Sequence, residues 1–281
     1  LWLYWCSPIL FYISYVHGQI DVIPSAFLFL SLLALFSGRE LAAGVLLGVG
    51  LGTKLHLLVV LPFVAVHLVK GPARSRSRTR RATLFFGAVA ATTALLIGPL
   101  LPSDGYRAMV LGTSETQRLF ELAVPLAGSL VLYAGPAALV LLFLRFLSSS
   151  RVNRDLTLLF LALVFGVLVL LLPPMPGWYF WSLPLACYFY VRQEQISTFS
   201  YWLVNGLYIL YYAVFWTDPA GTAPALASTL LGTSAGRVHI ESLVFTALQG
   251  SLAMTLFWIY RVGVQGLKEY AVRERPVVVG I

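Results

Sequence analysis

Five consecutive residues, 17–21, read His-Gly-Gln-Ile-Asp and bring an imidazole, an amide and a carboxylate together between two long apolar stretches. Ionisable groups beside membrane helices are costly and therefore indicate a functional site. His17 and Asp21 could exchange a proton with a substrate hydroxyl while Gln19 orients that substrate. The alternative is structural, with Asp21 capping a helix that begins at residue 22 and Gln19 lying among lipid headgroups.

A second polar group, Lys54 with His56, interrupts the apolar run between residues 41 and 69. A lysine ammonium binds phosphate as a point charge, and the phosphate of a polyprenyl lipid lies at the depth of a helix end. Lys54 and His56 are therefore candidate substrate-binding residues. The alternative is a lysine that marks the end of a helix and extends its ammonium to the membrane surface.

Residues 105–121 mix polar and apolar side chains in a way that predicts an amphipathic helix in the plane of the membrane surface. Its polar side carries Arg107, Glu115 and Arg118. Such a helix could cover a lipid-linked substrate while one of the arginines contacts the phosphate. A simple interfacial connector is the alternative.

Residues 173–181 read Pro-Pro-Met-Pro-Gly-Trp-Tyr-Phe-Trp, a rigid turn that runs into aromatic side chains. Trp178 and Tyr179 could stack on the face of a sugar and are the last candidate substrate-binding residues. The alternative is an aromatic belt, because Trp and Tyr favour the membrane interface whatever the function of the protein.

The composition indicates what must position these residues. Of the 281 residues, 59% are hydrophobic and 11% are charged, whereas soluble domains have about 25% charged residues. Solid apolar runs of about 15–20 residues recur, which is the length needed to cross about 30 Å of hydrocarbon. The sequence therefore predicts an all-α, polytopic transmembrane helix bundle that forms one integral membrane domain over residues 1–281.

The charges of the loops predict ten membrane segments and their direction. Residues 70–81 hold six cations, which place this loop in the cytoplasm. Counting from it, all of the 19 Lys and Arg residues fall on the inner side except Lys54, Arg107, Arg118 and Arg237. The segments are residues 1–16, 22–36, 41–53, 55–69, 82–101, 129–147, 156–172, 178–191, 198–216 and 241–260.

Some classes of function and some kinds of site are excluded or disfavoured. The net charge of +8 arises from topological loops, so no nucleic-acid partner is expected. Cys6 and Cys187 both lie in apolar segments, which disfavours a disulfide framework or a metal site. Glycines at positions 44, 48 and 52 recur every four residues and predict a stripe against which another helix packs closely.

Three stretches, taken in order, carry a resemblance to a family. The first is residues 7–9 (Ser-Pro-Ile) followed by 17–21, the second is residues 41–54 followed by Val-Leu-Pro at 60–62, and the third is residues 176–184 (Pro-Gly-Trp-Tyr-Phe-Trp-Ser-Leu-Pro). All three resemble loose motifs of the GT-C superfamily of membrane glycosyltransferases. The resemblance covers most of residues 1–190. It is nearest to bacterial polyprenyl-phosphate-sugar transferases of the mannosyltransferase type.

The resemblance implies a reaction and its partners. A sugar leaves a polyprenyl phosphate and joins a hydroxyl of a glycan or lipid acceptor at the extracytoplasmic face of the bacterial inner membrane, without a cofactor or a metal. A carboxylate takes the acceptor proton, and cations stabilise the departing lipid phosphate. The family's catalytic carboxylate lies in a first outer loop, before the region that Ser7 begins. We therefore expect a fragment without its N-terminal helices, in which Asp21 and His17 support a base that lies elsewhere.

Two other classes of function remain open. A transporter or flippase of lipid-linked or small polar substrates would place ionisable residues near the bilayer midplane and would show internal repeats. The predicted polar residues gather at one face, and no repeat is evident, which favours the transferase. A non-catalytic subunit of an envelope-polymer assembly is the third hypothesis.

Overall fold

The computed structural model describes residues 2–72, 77–112, 117–172, 175–192, 196–216 and 235–273, and most of them are helical. The all-α class is confirmed, with one two-stranded hairpin as the exception among the described residues. Three helical stretches are long and apolar enough to cross a membrane, namely Arg78–Leu100, Arg154–Leu171 and His239–Gln265. These stretches support an association with membranes, and the ten-segment layout stays a prediction.

The helices and strands of the described residues follow one another along the chain. The helices are α1 Trp2–Trp5, α2 Pro8–Phe11, α3 Val22–Phe36, α4 Glu40–Thr53, α5 Leu61–Lys70, α6 Arg78–Ile97, α7 Asp104–Tyr106, α8 Ala134–Leu147, α9 Arg154–Leu171, α10 Tyr179–Arg192, α11 Thr198–Leu210 and α12 Ala235–Arg273. Wider π-type turns extend α2, α7 and α11 over Tyr12–Val16, Arg107–Leu111 and Tyr211–Phe215. Tighter 3-10 turns cover Leu55–Val60, Gly98–Leu100, Arg118–Phe120 and Pro176–Trp178, and the hairpin consists of β1 Ala123–Pro125 and β2 Val131–Tyr133.

Contacts between residues divide the chain into two compact units. Ile20–Pro173 form one, which we call the central unit, and Leu1–Gln19 with Pro174–Ile281 form the other, the terminal unit. The single integral domain that the sequence predicts stays a prediction, because each unit is defined by its own contacts.

The chain of the central unit reverses direction at Lys54. Arg81, at the start of α6, donates from Nε to Glu40 Oε1 at 2.8 Å and from Nη1 to the carbonyl of Pro72 at 3.4 Å. The start of α4, the residues after α5 and the start of α6 therefore share one end of the unit. Lys54, which follows α4 in an extended conformation (φ −152°, ψ 127°), lies at the other end. The predicted pair of short helices on either side of Lys54 is confirmed.

The end that holds Glu40 and Arg81 also receives the end of α8 and the start of α9. Lys70 Nζ donates to the carbonyls of Leu147, at 2.5 Å, and Ser149, at 3.2 Å. His67 Nδ1 lies 2.8 Å from Thr157 Oγ1, so this histidine has a structural hydrogen bond. We call this end the basic end, because it gathers Arg39, Lys70, Arg78, Arg80, Arg81, Arg145, Arg151 and Arg154. We call the opposite end the Lys54 end.

The glycine stripe of α4 packs directly against α6, as the sequence predicts. A Cβ atom on Gly44 would collide with the backbone carbonyl oxygen of Phe85. A Cβ atom on Gly48 would lie 2.7 Å from Thr92 Cβ, and one on Gly52 would lie 2.8 Å from Leu96 Cδ1. Residue numbers rise together on the two helices, so α4 and α6 run parallel. At Gly44 only glycine permits this separation of the two backbones, because the added atom would meet backbone.

Two expectations about the segment after α6 are corrected. The helix predicted over 105–121 ends at Leu111, and Gly112 lies outside the helical conformation (φ −96°, ψ 16°). The apolar segment predicted from residue 129 becomes helical only at Ala134, because residues 123–133 form the hairpin. Gly128 at φ +63° supplies the left-handed residue of the hairpin turn, a conformation that glycine adopts without strain.

In the terminal unit, the N-terminal helices run parallel to α11. Ser7 Oγ and the backbone N–H of Ile9 donate to Asn205 Oδ1 at 2.8 and 3.3 Å, and Asn205 is buried. Further along, the Tyr12 hydroxyl donates to the carbonyl of Tyr212 at 2.9 Å. The two segments of the chain therefore run in the same direction. The hydrogen bonds between them satisfy polar groups inside an apolar interior.

We expect Gly44→Val to lower the free energy of unfolding by about 1–3 kcal/mol, because the added side chain forces α4 away from α6. Unfolding by denaturing detergent, followed by circular dichroism, measures this change.

The matched control is Gly87→Val on α6, where an added Cβ would meet nothing within 4 Å. It should change stability by no more than about 0.5 kcal/mol. Equal losses for the two variants would show that the close packing at Gly44 does not stabilise the unit.

Candidate functional site

An ion pair between Asp21 and Lys54 forms the centre of the Lys54 end. Lys54 Nζ donates to Asp21 Oδ1 at 2.5 Å. The Asp21 side chain is fully buried, whereas 31% of the Lys54 side chain is exposed. Asp21 precedes α3 and Lys54 follows α4, so the antiparallel packing of these two helices brings together residues that are 33 positions apart. The carboxylate therefore lies inside the unit, and the lysine side chain reaches it from a partly exposed position.

The Asp21 side chain does not cap α3, so this part of the structural alternative is wrong, whereas the position of Gln19 among lipid headgroups stays a prediction. Its backbone is helical (φ −61°, ψ −13°), and its side chain makes no capping hydrogen bond. A capping side chain instead belongs to a residue with an extended backbone and accepts from an N–H in the first turn. In Asp21 the carboxylate accepts from the Lys54 ammonium, and a charge-assisted bond of this kind is stronger than one to a neutral amide.

Hydrogen bonds tie the backbone at Lys54 to the last turn of α4. The Lys54 N–H still donates to the carbonyl of Gly50 at 3.0 Å, and Thr53 Oγ1 donates to the same carbonyl at 2.6 Å. An ammonium has three N–H donors, and Asp21 Oδ1 takes one of them. Because the side chain is partly exposed, the remaining donors can meet a phosphate oxygen while Asp21 keeps the ammonium in place.

His56 lies two residues further on, in the 3-10 turn Leu55–Val60. The side chain is half-buried, and its ring contacts Phe165 of α9 edge-on with 6.1 Å between the centroids. The imidazole thus belongs to the same end of the central unit as Lys54. Its proposed contact with a substrate stays a prediction.

His17 and Gln19 belong to the terminal unit, since the division of the chain falls between Gln19 and Ile20. The His17 N–H donates to the carbonyl of Tyr12 at 2.8 Å, and its ring contacts Trp216 edge-on at 5.3 Å. The Gln19 N–H donates to the carbonyl of Ile13 at 3.1 Å. The joint action of His17, Gln19 and Asp21 on one substrate stays a prediction.

The arginines after α6 lie in an exposed segment. Arg107 Nη2 donates to Asp104 Oδ1 at 2.5 Å, and both side chains are more than half exposed. Arg118 begins the turn Arg118–Phe120 and is half-buried. Glu115 lies outside the described residues. An exposed pair such as Arg107 with Asp104 contributes little to stability, so Arg107 can exchange its partner for a phosphate.

The aromatic residues 178 and 179 are core side chains of the terminal unit. Trp178 is 7% exposed and stacks on Trp181 with centroids 5.0 Å apart. Tyr179 is 2% exposed and contacts Tyr208 edge-on at 4.9 Å. Buried rings hold helices together, and stacking on a sugar by Trp178 or Tyr179 stays a prediction.

A tyrosine cluster that was not predicted from the sequence surrounds residue 179. Tyr208 and Tyr212 are one helical turn apart on α11 and its extension, with ring centroids 4.6 Å apart. The Tyr208 hydroxyl donates to the carbonyl of Pro176 at 3.0 Å, which fixes the start of α10. The four-residue spacing of these tyrosines was the signal that could have revealed the cluster.

Among the residues that the structure describes, no three His, Cys, Asp or Glu side chains come together as metal ligands do. That the reaction needs no metal remains an expectation of the family resemblance. Comparisons of the chain with protein-family models, with curated proteins and with solved structures find no match. The Asp21–Lys54 pair is therefore interpreted from its own geometry.

We expect Lys54→Met to lower the free energy of unfolding more than Asp21→Asn does. Lys54→Met leaves a fully buried carboxylate without its cation, whereas Asp21→Asn leaves a partly exposed ammonium that water can solvate. The loss for Lys54→Met should be about 2 kcal/mol, below the about 3–5 kcal/mol of a completely buried pair.

A double-mutant cycle with Asp21→Asn and Lys54→Met, followed by detergent unfolding, measures the coupling between the two side chains. The double variant should be more stable than Lys54→Met alone. Strictly additive losses would contradict a stabilising ion pair.

Proposed function

We propose that the protein is a membrane glycosyltransferase of the GT-C type, which moves a sugar from a polyprenyl-phosphate donor to the hydroxyl of a glycan or lipid acceptor outside the cytoplasm. The observation that carries this proposal is the Asp21–Lys54 pair, in which the lysine side chain is partly exposed at the end of the central unit opposite the basic end. A cation in this position meets the requirement of a lipid phosphate for a point-charge ligand.

The transfer breaks the bond between the sugar C1 and a phosphate oxygen and forms a bond between C1 and the acceptor oxygen. Negative charge develops on the departing lipid phosphate, and the Lys54 ammonium stabilises it through a charge-assisted hydrogen bond. Asp21 holds that ammonium in place, so we assign Asp21 a positioning role. The acceptor proton goes to a carboxylate other than Asp21, as the resemblance to the family implies.

We further propose that the basic end faces the cytoplasm and that the Lys54 end faces outward. The basic end has more cations than the other end, which has Lys54, Arg107 and Arg118, and this difference supports the orientation. Ten membrane segments, with the residues after α6 lying at the outer surface of a bacterial inner membrane, complete the proposed topology.

The separation of the charges favours a transferase over a transporter or flippase. Among the described residues of the central unit, the two ion pairs that join different helices lie at opposite ends, Asp21 with Lys54 at one and Glu40 with Arg81 at the other. Transporters instead bind their substrates and coupling ions near the middle of the membrane, at interrupted helices. Movement of a lipid-linked sugar between leaflets, without a glycosylated product, would support the transporter.

The proposed orientation predicts which engineered cysteines react from outside the cell. Ser103→Cys should react with a membrane-impermeant maleimide in intact cells, and Thr79→Cys only after permeabilisation, because these exposed residues follow and begin α6, respectively. Replacement of Cys6 and Cys187 by alanine removes the background. Labelling of position 79 in intact cells would contradict the proposed orientation and indicate the opposite one.

The proposed function predicts that Lys54→Gln lowers kcat/KM for the polyprenyl-phosphate sugar by about ten- to a hundredfold, the effect of losing one hydrogen bond to a charged group. Lys54→Arg should retain part of the activity. Sugar transfer is followed with a radiolabelled donor in membranes that contain the active protein.

The control is Lys70→Gln, which removes a lysine at the basic end that binds the carbonyls of Leu147 and Ser149. Its expression and thermal stability are compared with those of the Lys54 variants, and its kcat/KM for the donor should be close to that of the unaltered protein. Unchanged donor kinetics in a well-folded Lys54→Gln variant would contradict the proposed role.

A further inference from the structure

The hairpin between α6 and α8 exposes an unusual amount of apolar surface. Its strands pair Ala123 with Tyr133, Val124 with Leu132 and Pro125 with Val131. Every side chain from residue 121 to residue 133 is exposed, including Leu126 at 63% and Leu130 at 66% beside the turn. Two isolated strands have no core of their own, and a contiguous apolar patch of this kind marks a surface that another phase or molecule covers.

The absence of charged residues near the hairpin indicates that lipid covers its exposed surface. From Leu122 to Leu144 the sequence contains no charged residue. The exposed apolar surface continues from the hairpin onto α8, where Val140 is 56% and Leu141 is 67% exposed. If lipid covers the exposed side of α8, an apolar helix of a membrane-associated bundle, the same lipid reaches the strand that leads into the helix.

The length of α8 gives an independent reason. Its 14 residues span roughly 21 Å at the rise of an α-helix, against the ~30 Å of hydrocarbon in a typical bilayer. The helix starts at the Lys54 end, where Gly135 packs on Leu119. The part of the hydrocarbon thickness that α8 does not span therefore lies at the N-terminal end of the helix, next to the hairpin.

We propose that the hairpin docks on the bilayer, with Leu126 and Leu130 inserted at the boundary between headgroups and acyl chains. The backbone chemistry fits this depth. The Leu126 N–H donates to the carbonyl of Leu130 at 2.9 Å, and Pro125 has no N–H. The outer edges of the two strands keep donors and acceptors that headgroup water satisfies, and an open edge is not tolerated deeper in hydrocarbon. This inference rests on the membrane association of the central unit and is independent of the transfer reaction.

The test measures the environment of single cysteines at positions 126 and 130 in a chain with Cys6 and Cys187 replaced by alanine. Each cysteine carries an environment-sensitive fluorophore, and the protein is reconstituted into vesicles of phosphatidylethanolamine and phosphatidylglycerol. We expect blue-shifted emission at both positions and quenching by nitroxides attached to lipid headgroups or to the first carbons of the acyl chains. The control at position 103, an exposed serine before α7, should show water-like emission.

A second variant separates insertion from misfolding. Leu130→Asp places a carboxylate at the proposed depth, so the fluorophore at position 126 should lose its blue shift while thermal unfolding in detergent is unchanged. Emission typical of water at 126 and 130 in vesicles would overturn the proposal. Blue-shifted emission that persists without lipid, together with cross-links between two copies through position 130, would also overturn the proposal. This result would assign the surface to a second copy of the chain.

Discussion

The central unit depends on the way in which α4 is held at both of its ends. Glu40, its first residue, is paired with Arg81, and Lys54, which follows its last residue, is paired with Asp21. Between these pairs the glycine stripe brings α4 against α6 with no room for a side chain. Charges are expensive in an apolar surrounding, so both pairs lie at helix ends and fix the length and register of the helix between them.

The two pairs differ in exposure, and this difference gives the ends different chemistry. Glu40 and Arg81 are 1% and 2% exposed, so their charges serve each other and the packing of α6. The Lys54 side chain is partly exposed, and its ammonium is oriented by a fully buried carboxylate. A cation positioned by a buried acid suits the binding of an anion, which in the proposed function is the lipid phosphate of the donor.

Local patterns in the sequence predicted the features that depend on local physics. The four-residue repeat of glycines indicated a helix contact, and Lys54 in an apolar run indicated a reversal of the chain. The partner of Asp21 could not be predicted, because it is 33 residues away and is chosen by the packing of α3 on α4. The hairpin was not predicted because an uncharged apolar run is compatible with a helix as well as with two strands. Only Pro125 and Gly128 indicated the turn. The division of the chain between Gln19 and Ile20 has no local signal.

The most direct measurement of the central claim is photo-cross-linking with a polyprenyl phosphate that carries a photoreactive group beside its phosphate. After irradiation in native-like membranes, mass spectrometry of the digested protein locates the modified peptide. If the Lys54 end binds the lipid phosphate, the modification falls on the peptide that contains Lys54, and unlabelled polyprenyl phosphate competes it away. Modification confined to Lys70 or to Arg78–Arg81 at the basic end, or modification that no competitor removes, would contradict the proposed role of Lys54.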